Sequence, residues 1–348
     1  MAGTTGAAKT RGRFAILGAG QMGLVCGMIL DSQEIDSRLW GHEPSHITEL
    51  AQVGSSKRHL PGFKIPTRVT PTPDDDEVFD GVEVIVSAIP TQHIRSVFER
   101  LRPHVPKDTP IVSFAKGVEN ETLLRPTQII ADTLDDDPDK PARPLAALSG
   151  PTIAAELARC LPATMIAASD DLDFASRLQE VFTTSWLRIY TNNDLLGVEL
   201  AGATKNVVAL AAGMLDGLQA GFNAKSALLA RGLAEITRLG LAMGATSDTF
   251  FGIAGVGDLA TTCFCPEGRN RSCGEALGKG RKIEEILRET DSVVEGVPTT
   301  KSVVALAEKY RVEMPIATAV HAILFEDLDP IDAIAMLMSR EPKEERVG

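Results

Sequence analysis

R-F-A-I-L-G-A-G-Q-M-G-L-V-C-G-M-I-L, from Arg13 to Leu30, is the stretch that decides the fold of the first half of the chain. Arg13 to Leu17 is an apolar run of strand length. The glycine-rich G-A-G-Q-M-G that follows, Gly18 to Gly23, leads directly into an apolar helical stretch. Strand, glycine turn and helix in that order give a G-x-G-x-x-G its meaning. Gly18 permits the tight turn, Gly20 the close approach of a pyrophosphate, and Gly23 the packing of helix on strand. The helix N-terminus then faces the phosphates. A tight turn with no ligand is the competing reading of the same residues.

The pattern repeats downstream. Ser37–Trp40, Val82–Ile89, Ile111–Phe114, Leu145–Leu148, Thr164–Ala168 and Trp186–Tyr190 read as further strands, and beyond Asn192 the periodicity turns helical and stays so. The expectation is an α/β dinucleotide-binding domain over residues 1–192 and an all-helical domain over 193–348. An NAD enzyme places an acid at the end of its second strand, against the ribose hydroxyls. Here Gly41 and His42 stand there, with Glu43 one step further. A glycine leaves room for a 2′-phosphate and His42 can contact it, which leans toward NADP or toward use of both cofactors. Lys116 follows the Ile111–Phe114 strand, at the edge where open α/β sheets bind ligands; an ordinary surface lysine is the alternative. Ser149-Gly150-Pro151-Thr152 opens from the next strand, and Gly150 and Thr152 there supply backbone and hydroxyl donors.

The helical half is organised around Asp194 to Met214, D-L-L-G-V-E-L-A-G-A-T-K-N-V-V-A-L-A-A-G-M. Asp194 suits an N-cap, and apolar residues surround the helix almost completely. Glu199, Gly202, Lys205 or Asn206, Ala209 and Gly213 share one stripe, on which small residues clear a space for charged and amide groups. A buried lysine is costly unless paired, and desolvation lowers its pKa toward the range of neutral proton transfer. A structural Lys–Glu pair, or a lysine reaching solvent, is the alternative. Asn223 to Leu239 forms a second helix. Phe250 to Thr262 is glycine-rich and uncharged apart from Asp258. Glu267 to Gly274, E-G-R-N-R-S-C-G, is a loop leading into a helix, where Arg269 and Arg271 could clamp a phosphate. Ser292 to Thr300 reads as one more loop.

Composition bounds the rest. A chain of 348 residues with 44% hydrophobic and 24% charged residues is an ordinary two-domain globular protein, and a net charge of −12 argues against nucleic acid as a general partner. No uninterrupted apolar run reaches the length of a membrane span. The polar N-terminus lacks a secretory core, so a cytoplasmic location is expected. The five cysteines, Cys26, Cys160, Cys263, Cys265 and Cys273, include no C-x-x-C pair and no histidine near the last three, so no metal site is expected. The acidic run Asp74–Glu77 reads as solvated surface, Asp132–Pro144 as a polar loop rich in aspartate and proline, and the tail from Ser339 as frayed.

Taken in order, G-A-G-Q-M-G, S-F-A-K-G-V-E, L-S-G-P-T-I-A-A-E, E-L-A-G-A-T-K-N-V, G-V-G-D-L-A-T-T-C and G-R-N-R-S-C-G closely resemble the bacterial NAD(P)-dependent glycerol-3-phosphate dehydrogenases, over nearly the whole chain. The resemblance implies a Rossmann domain, a helical domain and a substrate cleft between them. It implies interconversion of dihydroxyacetone phosphate and sn-glycerol 3-phosphate with NADP or NAD, in support of phospholipid synthesis. Lys205 would then exchange a proton with the substrate oxygen, and Lys116 would polarise the carbonyl beside the nicotinamide. Asp258 would orient Lys205 or a substrate hydroxyl. Gly150 and Thr152 would line the substrate site, and Gly268, Arg269 and Asn270 would meet its phosphate. Gln21, Met22, His42, Lys116, Ala154, Arg269, Val293 and Glu295 match cofactor-contact positions. Departures from the family pattern are Gln21-Met22 for serine and an aromatic, His42 for a frequent arginine, and Gly268 for a frequent serine. Two other readings are a related two-domain reductase of a hydroxy or keto acid and a non-catalytic dinucleotide sensor. A homodimer is left open.

Overall fold

Eight short apolar segments line up as one sheet in the order β3-β2-β1-β4-β5-β6-β7-β8. They are β1 Arg13–Leu17, β2 Ser37–Trp40, β3 Val69–Thr72, β4 Val82–Ser87, β5 Ile111–Ser113, β6 Leu145–Ser149, β7 Ala163–Ser169 and β8 Leu187–Asn192. This is a computed structural model, and it describes residues 12–136, 143–290, 292–342 and 344. The expectations for the lead-in before Gly12, the middle of the Asp132–Pro144 loop and the end of the tail fall outside the described residues.

Pairing is parallel except between β6 and β7. The central strands carry continuous apolar runs because helices cover both faces of a parallel sheet. One buried cluster includes Phe14, Ile16, Val84 and Val86, and the opposite one includes Ala15, Leu17, Ile85 and Ile111. Neighbouring residues of a strand thus face opposite ways, as a pleated strand requires. Strand order reverses between β1 and β4, and the crevice outside the strand ends at such a switch point is where α/β sheets take ligands. β3 was missed by pattern: V-T-P-T is too short and polar, and its proline is tolerated because β3 is an edge strand.

After β8 the regular elements are helical. Leu195–Gly217 runs through the middle of this half, with Asp194 as its N-cap: Asp194 Oδ1 accepts from Gly197 N at 2.8 Å. Among the described residues it is the one helix long and apolar enough to cross a membrane, and 89% of that window is buried inside the protein. Its glycines serve packing. A Cβ on Gly213 would lie 1.9 Å from Arg271 O, and one on Gly274 would lie 2.0 Å from Leu210 O. Gly217 and Gly278 repeat the relationship one turn on. Two glycine pairs at i, i+4 therefore let the central helix and the Arg269–Gly278 helix touch backbone to backbone.

Two expectations change here. Gly213 makes room for a neighbouring helix, not for a pocket. Glu199 points away from Lys205: it pairs with Arg125 and accepts from Thr127 N and Oγ1, both at 2.8 Å, capping the Pro126–Thr133 helix. The Lys–Glu pair weighed as a structural alternative is absent.

Candidate active site

Asp258 is the hub. It lies at the start of the Asp258–Phe264 helix, after a single wide turn over Ile253–Gly257, and only 2% of it is exposed. Its Oδ2 accepts from Lys116 Nζ at 2.7 Å, and its Oδ1 faces Lys205 Nζ at 3.0 Å. One carboxylate thus serves two cations, one from each half of the chain, leaving a surplus positive charge in the crevice.

The two amines differ in what remains free. An ammonium has three N–H donors. Lys116 commits three, to Asp258 Oδ2, to Gly150 O at 2.8 Å and to Thr152 Oγ1 at 3.2 Å. Lys205 makes one hydrogen bond, to Thr262 Oγ1 at 2.5 Å, and faces Asp258 as an ion pair. Thr262 donates its own proton to Asp258 O at 2.7 Å, so its lone pairs are turned toward the amine. At least one donor of Lys205 is left for a ligand. Burial lowers the Lys116 pKa to about 8, against the pull of Asp258 and with the help of Lys205 nearby. Gly202 brings the central helix close, since a Cβ there would lie 3.1 Å from Ser149 Oγ and 3.5 Å from Lys116 Cγ.

A second chain of contacts ties the halves together. Asn206 Nδ2 donates to Lys116 O and Asn270 Nδ2 donates to Asn206 Oδ1, each at 3.0 Å; Gly296 N donates to Asn270 Oδ1 at 2.8 Å. Asn270 is therefore buried and occupied within the protein. Arg269, beside it, donates from Nη1 to Val293 O at 2.9 Å and is otherwise exposed. Both sit in the first turn of a helix that begins at Arg269 with Gly268 as its N-cap, not in a loop as expected. Gly296–Thr300 is likewise already helical. Arg271 turns away, to Asp216 at 2.7 Å, and does not join Arg269 in a clamp.

The glycine turn fits a dinucleotide. Gly18 has φ +110°, and a Cβ there would lie 2.7 Å from Ala88 O; one on Gly23 would lie 1.8 Å from Gly18 O, while Gly20 has nothing within 4 Å. Turn, open approach and tight packing thus fall on Gly18, Gly20 and Gly23 in the expected order. Gln21 and Met22 form the first helical turn beyond them, Gln21 exposed and Met22 half-buried. Ala154 begins the short helix after Thr152. Glu295 is the N-cap of the Gly296–Tyr310 helix, and its Oε1 accepts from Thr91 N at 3.0 Å.

At the second strand end one inference fails. Gly41 does not leave a vacant space, because a Cβ there would meet Ile47 Cδ1 at 2.7 Å and Ala19 Cβ at 3.2 Å. The glycine is demanded by packing and carries no preference for a 2′-phosphate. His42 is exposed, and Glu43 lies 3.6 Å from Arg58.

Two family models match the chain, the N-terminal one over residues 13–175 and the C-terminal one over 194–335, both described as NAD-dependent glycerol-3-phosphate dehydrogenase. The chain belongs to the NAD-dependent glycerol-3-phosphate dehydrogenase family. It is an NAD(P)-linked oxidoreductase of that family. A glycerol-3-phosphate dehydrogenase [NAD(P)+] of Lysinibacillus sphaericus is 42% identical over 96% of this chain and 98% of its own. One of Listeria monocytogenes is also 42% identical, over 97% and 99%. The crystal structure of glycerol-3-phosphate dehydrogenase from Coxiella burnetii superposes with a TM-score of 0.90 at 36% identity, covering 95% of this chain and all of that one.

Thr262 was not singled out from sequence as a site residue, and Asn206 only as the alternative to Lys205 on the stripe of the central helix. Both lay inside quoted motifs, one turn from Asp258 and next to Lys205 respectively. Helical spacing from a named carboxylate, i to i+4, was the signal that could have found Thr262.

Proposed function

We propose that the chain reduces dihydroxyacetone phosphate to sn-glycerol 3-phosphate, reversibly, with Lys205 as the group that exchanges a proton with the substrate C2 oxygen. The observation that supports this is the donor count around Asp258: Lys116 is fully engaged, whereas Lys205 keeps at least one N–H free. NADPH or NADH bound at the glycine turn would supply the hydride. Addition of hydride to a ketone leaves an alkoxide, so a cation must meet that oxygen as charge develops. Lys205 is held for this by Asp258 and Thr262, which fix its amine without neutralising it. Lys116 supplies a second positive charge to the same crevice and can turn from Thr152 toward a carbonyl. Arg269, exposed at a helix N-terminus, is placed to hold the phosphate together with the N–H groups of that turn. Asn270 supports this turn through Asn206 and Gly296 instead of reaching outward.

This reading divides the chain into a cofactor half, 1–192, and a substrate half, 193–348. It extends to a cytoplasmic supplier of glycerol 3-phosphate for phospholipid synthesis. The test is oxidation of NADPH, then of NADH, with dihydroxyacetone phosphate and with unphosphorylated dihydroxyacetone. Turnover of the phosphorylated ketone alone supports the assignment. Equal turnover of both would point to a reductase of other small carbonyl compounds.

A further inference from the structure

Lys116 sits on a stretch without regular structure: β5 ends at Ser113, and nothing from Phe114 to Glu119 belongs to a helix or strand. Side chains from both halves of the chain hold its backbone instead. Gln92, in the single turn Thr91–His93 after β4, spans the stretch with its amide. Its Nε2 donates to Val118 O at 2.8 Å, and its Oε1 accepts from Asn120 N at 3.2 Å. From the other half comes Ser302, on the Gly296–Tyr310 helix. Its hydroxyl shares one proton between the same Val118 O, at 2.8 Å, and Asn120 Oδ1, at 2.6 Å. Val118 and Ser302 are both buried.

A side-chain amide carries the same donor and acceptor as a peptide group. Gln92 therefore pairs with Val118 and Asn120 as a neighbouring strand would, carrying order past the end of β5. A carbonyl oxygen has two lone pairs, and each half of the chain engages one on Val118 O. Lys116 O, two residues earlier, accepts from Asn206 of the central helix. The backbone is thus fixed on both sides of Gly117, next to the lysine. The Lys116 amine lies at the end of a long, flexible side chain, yet it meets Asp258 Oδ2 at 2.7 Å. Any freedom left to the backbone would be multiplied at that amine.

We propose that Gln92 and Ser302 are positioning residues for Lys116, which set the Phe114–Asn120 stretch from both halves of the chain and so hold its amine on Asp258. They act through the backbone, at Val118 and Asn120, and not at the amine itself. The proposal rests on the part given to Lys116 in the reaction and adds two residues through which that part is secured.

The test is steady-state reduction of dihydroxyacetone phosphate by Gln92→Met, Ser302→Ala and the double variant, each made in wild type and in Lys116→Met. Methionine keeps the length of glutamine and removes its amide. In the wild-type background the double variant should lose about 10-fold in kcat, the scale of lost positioning hydrogen bonds. In Lys116→Met the same substitutions should cost nothing further, because residues that act through one group are not additive. Equal losses in both backgrounds would overturn the proposal, since the substitutions would then act on the fold and not through the lysine. An unaltered kcat in the double variant would overturn it too. A Lys116→Met enzyme as fast as wild type would instead overturn the part given to Lys116 itself. Should Gln92→Met fail to fold, Ser302→Ala removes only one hydroxyl and carries the same comparison between backgrounds.

Discussion

Thr262 Oγ1 lies 2.5 Å from Lys205 Nζ, and both are carried by helices that meet only through tertiary packing. The hydroxyl is anchored by its own bond to Asp258 O at 2.7 Å, so it presents a lone pair to the amine in one fixed direction. That fixes where the free N–H of Lys205 points.

Replacing Thr262 by valine keeps the volume and removes the acceptor. We expect kcat for dihydroxyacetone phosphate reduction to fall about 10-fold, the scale of one lost positioning hydrogen bond. NADPH affinity, measured by titration, should not change. An unaltered kcat would mean that Asp258 alone orients the amine.

Lys116 titrates near 8 because burial and the neighbouring Lys205 disfavour its charge more than Asp258 favours it. Its charge is therefore present below about pH 8 and lost above. The pH profile of kcat/KM for dihydroxyacetone phosphate should fall on the alkaline side through this pKa. Asp258→Asn removes the carboxylate that favours the charged form, so the alkaline limb should move to lower pH. A limb that stays in place would take Lys116 out of the profile.

Glu235 offers a test on stability that is independent of the reaction. Burial raises its pKa to about 7, although it accepts from Ile316 N at 2.9 Å at the start of the Pro315–Phe325 helix. The folded state then binds more protons than the unfolded state between the ordinary value of 4.5 and about 7. Stability contributed by this group is complete below about pH 4.5 and is lost as pH rises through 7. Glu295, raised to about 7 by burial, acts in the same direction. Denaturant unfolding of Glu235→Gln should show a weaker decline in stability over that window than the wild type does. An identical slope would mean that Glu235 stays charged in the fold.

Much of the fold could be read from residue pattern because parallel strands buried on both faces are continuous apolar runs, and because Gly18 and Gly23 each answer a separate steric demand. Lys116, Lys205 and Asp258 were each nameable singly, and the structure joins them on one carboxylate. Partners could not be read where long-range packing chooses them. Glu199 shares a helical stripe with Lys205 by spacing alone, yet it turns to Arg125, 74 residues away in sequence. Gly41 looked like room for a phosphate and is instead pressed on Ile47. The start of the helix at Arg269 was hidden because the flanking glycine and asparagine are poor helix formers. The backbone contact at Gly213 and Gly274 holds that helix in place.

That contact predicts a stability cost. Gly274→Ala places a methyl group 2.0 Å from Leu210 O, and the two helices must separate to admit it. Unfolding should be easier by about 1–3 kcal/mol, the usual penalty of overpacking. Because the same helix carries Arg269, KM for dihydroxyacetone phosphate should rise as well. A variant as stable as wild type would show that the helices are not in close contact.

The most direct measurement is the single-turnover rate of Lys205→Ala, with NADPH and dihydroxyacetone phosphate at saturation and NADPH affinity measured on the same protein. The account predicts nearly unchanged NADPH binding and a hydride-transfer rate lower by about 100-fold or more, as expected for loss of a general acid. A variant that keeps most of its rate would contradict it, and the proton would have to come from elsewhere in the crevice.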